Sequence, residues 1–227
     1  MQRKQFLRYL GAAMGGAALA PLVTACGGGD GVAGAGTSGI AAAANSTTSA
    51  STATLSADEI AGLMFMREEE KLAHDVYVAL YEKWGHNVFN QISQSEATHT
   101  EVIRELIEAH DLEDPAEDNP AGVFENDDLQ ALYDKLVAMG QPSLIDALKV
   151  GCLIEEKDIK DINDKKALVI DEPDIVTVYD NLLCGSRNHL RAFNDTLIGL
   201  GVQYVPTVIS QEEWNAIANA VSETCGG

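Results

Sequence analysis

The chain has 227 residues, with 35 acidic side chains against 15 basic ones and a net charge of −20. That length holds one domain of ordinary size; its 46% hydrophobic content excludes a wholly disordered acidic chain, and its acidity argues against nucleic acid and anionic lipid surfaces, which recruit excess Lys and Arg. The charge is uneven: the first 25 residues hold Arg3, Lys4 and Arg8 and no acid, so the rest sets all 35 acids against 12 bases.

Residues 1–25 read as an export signal, with a basic start, an apolar stretch of small residues from Leu10 to Val23, and then Val23-Thr24-Ala25-Cys26. The stretch is too short and too rich in Gly and Ala for a permanent membrane span. Its ending resembles the bacterial lipobox, which implies acylation of Cys26 and a lipoprotein held at a membrane surface of the cell envelope by its lipid. Arg3-Lys4-Gln5-Phe6-Leu7-Arg8 also resembles a twin-arginine signal, with Lys in the second Arg's place. Residues 26–54, nearly all Gly, Ala, Ser and Thr after Cys26, read as a flexible tether. The folding unit is expected over 55–225.

Ser56-Ala57-Asp58-Glu59 is a capping box and opens a stretch free of Pro until position 115. Leu63, Met66, Ala73, Tyr77, Leu80 and Trp84 follow at spacings of three and four, which predicts a helix burying one stripe. Gly85-His86-Asn87 breaks it. A second helix carries Phe89, Ile92, Ile103 and Leu106 and ends near His110. Asp111 to Gln141 is a long acidic connection with a short amphipathic helix inside it, Asp127 to Met139. A third main helix starts around Ser143 with Ile145, Leu148, Cys152, Ile159 and Ile162 on its stripe. The fourth begins at Pro173, a favoured first-turn residue, and runs to about Leu200. Ser210 caps a short terminal helix through Val221, and Val202 to Ile209 is at most an extended loop. No hairpin pattern occurs. The reading is all-α: a four-helix bundle with a long crossover between its second and third main helices, plus a short C-terminal helix.

The stripes contain residues that a core should not hold. The gap in the first helix is filled by Glu70, those of the second by Glu96 and His99, that of the third by Glu155, and that of the fourth by His189, one turn after Ser186. An unpartnered buried carboxylate costs several kcal/mol or must protonate. Three carboxylates converging at one level therefore call for a cation, and carboxylate with imidazole suits iron, manganese or zinc, as one or two ions. The alternative is a metal-free acidic helical adaptor that binds an envelope partner and uses the inward Glu and His residues as a hydrogen-bonded network.

Four phrases carry a family resemblance: Arg67-Glu-Glu-Glu-Lys-Leu-Ala-His-Asp-Val-Tyr77, Ser95-Glu-Ala-Thr-His99, Ile154-Glu-Glu-Lys-Asp158 and Gly185-Ser-Arg-Asn-His-Leu-Arg-Ala-Phe193. With them, residues 57 to 200 resemble the ferritin-like superfamily, in the branch of rubrerythrins and bacterial ferritin-like domains of unknown function. The resemblance implies two metals, held by one Glu on the first and third helices and by E-x-x-H on the second and fourth. Glu70 then matches the first Glu, Glu96 and His99 the first E-x-x-H, Glu155 or Glu156 the second Glu, and His189 the last His. Ser186 stands where the family has its sixth ligand, a carboxylate. Glu156 or Asp158 would have to compensate, or the site holds a single metal. The chemistry implied is that of oxygen or peroxide, or of metal storage and sensing, and the chain lacks the Cys-rich segment that feeds electrons to rubrerythrins.

Among the remaining residues, His74 is either an extra ligand or a surface residue. Glu68 and Glu69 are expected to be solvated or paired with Arg67 and Lys71. Tyr77 and Tyr81 are expected in core packing, and Asp111 to Asp118 as a solvated acidic loop. With Cys26 acylated, Cys152, Cys184 and Cys225 remain. Helical register puts Cys152 and Cys184 roughly 10 Å apart along the bundle, beyond disulfide reach, whereas a Cys184–Cys225 bridge is open. The partners expected are a membrane, through the lipid, and a redox partner of unstated kind, with a homodimer allowed for and nucleic acid excluded.

Overall fold

The computed structural model describes residues 54–225; the expected export signal, Cys26 and nearly all of the tether lie outside them. The described residues form six helices and no strand: α1 (Ala57–Trp84), α2 (Asn87–Ala109), α3 (Asp127–Gly140), α4 (Leu144–Lys166), α5 (Pro173–Gly199) and α6 (Gln211–Ala218). The all-α bundle expected from periodicity is the architecture found. The terminal helix is shorter than expected, ending at Ala218 rather than Val221. No described helix is long and apolar enough to cross a membrane.

Local chemistry sets the helix ends. The Ser56 hydroxyl accepts from the Glu59 amide, and the Glu59 carboxylate accepts from the Ser56 amide in return. Gly85, at φ 62°, supplies the left-handed residue that ends α1. Asn126, Ser143 and Ser210 cap α3, α4 and α6 by the same side-chain-to-amide bonds, and Pro173 takes the first turn of α5.

α1, α2, α4 and α5 form the bundle, arranged as a ring in which α1 touches α2 and α4, and α5 touches the same two. Level contacts fix the directions. Tyr77 meets Gly151 and Glu155 while Gly62 meets Lys165, so α1 and α4 are antiparallel. His189 meets Ser95 while Gly185 meets His99, so α2 and α5 are antiparallel too. The segment between α2 and α4, including α3, therefore has to travel the length of the bundle. It crosses over α1 and is pinned there by Arg67 to Asp114 at 2.9 Å, by Lys71 Nζ donating to the Pro120 carbonyl and the Gly122 amide donating to Asp75, each at 2.9 Å, and by Trp84 Nε1 donating to the Gly140 carbonyl.

That covering changes the outlook of α1. Glu68 and Glu69, expected to be solvated or paired with Arg67 and Lys71, are buried. Glu68 accepts from the Glu125 and Asn126 amides at 2.5 and 3.1 Å and so anchors the start of α3. Asp114, in the loop expected to be solvated, is the partly buried partner of Arg67. A helix wrapped on several sides buries polar residues that a one-stripe reading leaves in water.

Candidate metal centre

Midway along the bundle, one carboxylate from each of α1, α2 and α4 and one imidazole from each of α2 and α5 converge. Glu70, Glu96 and Glu155 are at most 1% exposed, and His189 is 8% exposed. Two groups of donor atoms lie within 4.8 Å of one another: Glu70, Glu96 and His99 in one, Glu96, Glu155 and His189 in the other. Glu96 is common to both. Its Oε2 lies 2.7 Å from His99 Nδ1 and its Oε1 lies 2.8 Å from His189 Nδ1. Both Glu96 oxygens and His189 Nδ1 nevertheless lack a hydrogen-bond partner, as do Glu70 Oε1 and Glu155 Oε2. The contacts are short but misdirected: the donor atoms crowd around shared space instead of pointing at each other.

Outer contacts aim these side chains. His189 Nε2 is bonded to Ser95 Oγ at 2.9 Å, which turns Nδ1 toward Glu96 and Glu155. Tyr77 donates to Glu155 Oε1 at 2.5 Å, leaving the other oxygen for the cluster. His99 Nδ1 also reaches Glu70 Oε2 at 3.2 Å. Its ring edge lies so close to α5 that a Cβ at position 185 would sit 2.5 Å from it, so Gly185 is what lets the two helices approach. The His99 and His189 rings stack with centroids 5.5 Å apart.

Electrostatics follow the crowding. Burial pushes the Glu70 carboxyl up to about 7 and the Glu155 carboxyl up to about 6. Burial acts on Glu96 in the same sense, yet His189 and His99 outweigh it and hold that carboxyl below the usual range. Burial would lower both imidazoles. Glu96 with Glu155 overcomes it at His189, raised to about 10, and Glu96 with Glu70 does so at His99, also raised well above its ordinary value. Without a metal, protons on the imidazoles supply the missing positive charge.

The five residues Glu70, Glu96, His99, Glu155 and His189 are thus brought together as expected. Glu156 is not among them. Its carboxylate is turned to the loop before α6, where it accepts from Tyr204 Oη at 2.6 Å and from the Thr207, Val208 and Ile209 amides at 2.8, 2.7 and 3.1 Å. Neighbours on a helix diverge by about 100°, so Glu155 and Glu156 serve different faces. His74 is also outside the cluster, paired with Asp75 near the surface. Ser186 is buried, but its hydroxyl donates to the Leu182 carbonyl of its own helix and supplies no charge. Asp158, one turn beyond Glu155, is 1% exposed with both oxygens unpartnered. Burial, then Glu70, raises its carboxyl well above the usual range. Glu69, 2% exposed and likewise without a hydrogen-bond partner, lies beside the stripe and so escapes the stripe pattern; it faces α4, with Lys157 Nζ at 3.8 Å.

The family described as "Uncharacterized protein domain (DUF2202)" matches residues 59–221. The chain belongs to this family. A relative, "Uncharacterized protein MJ0754" of Methanocaldococcus jannaschii, is 46% identical over 169 residues, spanning 74% of this chain and 91% of that protein. The crystal structure of hypothetical protein MJ0754 from Methanococcus jannaschii aligns with a TM-score of 0.73 at 44% identity, covering 74% of this chain and 96% of that one. All five converging residues, with Tyr77, Asp158 and Gly185, fall inside the DUF2202 match.

Proposed function

We propose that this DUF2202 protein is a ferritin-like metal protein that holds one or two transition-metal ions, iron foremost and manganese or zinc otherwise, between Glu70, Glu96, His99, Glu155 and His189. The observation that carries the reading is Glu96, whose two buried oxygens face one imidazole each at 2.7 and 2.8 Å without hydrogen-bond alignment. Glu96 is common to two donor groups, so Glu70 and His99 would hold an ion with it, and Glu155 and His189 would hold a second. Orphaned oxygens in a dry core are costly unless a cation occupies the space between them. Asp158 offers the negative charge that Ser186 does not. Iron held there would supply redox chemistry with oxygen or peroxide, or would be stored. The chain's own residues would hold it, with Ser95 orienting His189 and Tyr77 orienting Glu155, and would exclude water.

The reading places the domain outside the cytoplasm, tethered by an acylated Cys26 at the cell envelope. The Cys184–Cys225 disulfide is in keeping with an oxidising compartment. The metal-free adaptor reading accounts less well for the unpartnered oxygens, since a hydrogen-bonded network is stable only when its members are satisfied.

Metal analysis of the purified chain after iron loading tests the proposal. At least about one ion per chain is expected, and replacing Glu96 and His99 together by Ala abolishes it with helicity by circular dichroism retained. Less than about a tenth of an ion in the unaltered chain, or undiminished metal in the double variant, overturns the reading.

A further inference from the structure

A second group of metal-type donors lies at the end of the bundle where α1 and α5 begin and α2 ends. His110 closes α2, Glu172 precedes α5, and Asp174 lies in its first turn. One donor atom from each lies within 4.8 Å of the other two, and His110 Nε2 is 3.0 Å from Asp174 Oδ2. The corner is about 16 Å along α1 from the central cluster, counting from Glu59 to Glu70 at 1.5 Å per residue.

Glu172 is the residue that calls for an explanation. It is 8% exposed and stands at a helix N-terminus, whose free amides attract a carboxylate. Yet its side chain makes no capping hydrogen bond. Asp174 performs that task instead, its Oδ1 accepting from the Ile175 amide at 2.9 Å. The Glu172 side chain is thus mostly withdrawn from water, with a carboxylate oxygen within 4.8 Å of donor atoms of His110 and Asp174. Glu59 adds negative charge, but its oxygens are taken by the Ser56 and Ile170 amides. One imidazole stands against three carboxylates.

We infer that His110, Glu172 and Asp174 form a second divalent-metal site, of zinc type, that clamps the end of α2 to the start of α5. Imidazole nitrogen and carboxylate oxygen are both zinc ligands, and a site with three protein ligands leaves a fourth position to water. Asp174, half exposed at its side chain, keeps that position open to solvent. The site is independent of the central cluster and stands or falls separately from it.

Equilibrium dialysis of the full chain against zinc tests it, in a background where Glu96→Gln and His99→Gln silence the centre. That background is expected to retain about one zinc per chain, and adding His110→Ala or Glu172→Gln weakens binding at least about tenfold. If the background variant does not fold, the otherwise unaltered chain carries the test. There Glu172→Gln removes about one zinc per chain, and His110→Ala cuts the rise in thermal midpoint that zinc produces. Equal zinc content and affinity with and without the His110 side chain overturns the inference. So does a folded background variant that takes up no zinc.

Discussion

Two adjacent glutamates on α4 have opposite surroundings. Glu156 receives four hydrogen bonds from the loop before α6. Glu155, one residue earlier and equally buried, has one oxygen held by Tyr77 and the other without a partner. Asp158, on the Glu155 side, has none for either oxygen. Both faces of the helix are dry and acidic, so burial alone does not separate structure from function. Satisfaction does: a saturated carboxylate is part of the fold, and an unsatisfied one awaits a ligand or holds a proton.

The largest effect on stability should come from the saturated side. Glu156→Ala removes the acceptor for three backbone amides and the Tyr204 hydroxyl, which frees the loop and loosens the Tyr204–Trp214 contact at 4.8 Å. A loss of roughly 3 kcal/mol is expected by denaturant unfolding, as for a buried charged acceptor with several donors. Metal content per folded chain should not change. A variant that folds as stably as the unaltered chain but loses metal would reverse the assignment of the two glutamates.

The unsatisfied side should reveal itself through protons. His189 is raised to about 10 and His99 is raised as well, so both imidazoles are protonated at neutral pH in the metal-free chain, and Glu70, near 7, holds part of a proton. A metal needs the imidazole lone pairs, so uptake expels these protons and affinity rises with pH. With at least one proton leaving per ion, the apparent affinity should climb about tenfold or more per pH unit between about 6 and 8. An affinity independent of pH over that range would show that the ions bind elsewhere.

The sequence makes the same division legible only in part. Stripe gaps locate Glu70, Glu96, His99, Glu155 and His189 because a helical period of 3.6 exposes any polar residue that interrupts it. The family resemblance, by contrast, leaves Glu155 and Glu156 both open. Each falls on a covered face, and the loop that covers Glu156 arrives from some 50 residues away. Glu68 and Glu69 mislead for a related reason, since the crossover and α4 bury sides of α1 that periodicity assigns to solvent. Register along the bundle excludes a Cys152–Cys184 bridge, and the structure forms Cys184–Cys225, with Cys152 buried and free. That pairing depends on the return of the C-terminal tail, where Glu223 meets Arg187 and Arg191, and no local pattern announces a return.

Asp158→Asn is the mildest change and the sharpest contrast with Glu156→Ala. Burial, with Glu70 next, raises the Asp158 carboxyl well above its ordinary value, so in the metal-free fold it is neutral where an unfolded chain would ionise it. A raised carboxyl pKa works against folding as pH climbs from the unfolded value of about 3.9 toward the folded one. The neutral amide avoids that penalty. In the metal-free chain, Asn should therefore leave stability within about 1 kcal/mol at pH 7, or raise it. Any advantage should shrink toward pH 4, where about half of the unfolded carboxyl is protonated too. Metal reverses the sign: an ionised Asp158 helps to balance the cation, so the loaded variant should be the less stable one. Unfolding curves at both pH values, with and without iron, decide the matter. A loss near that of Glu156→Ala in the metal-free protein would mean that Asp158, like Glu156, is held by the fold itself.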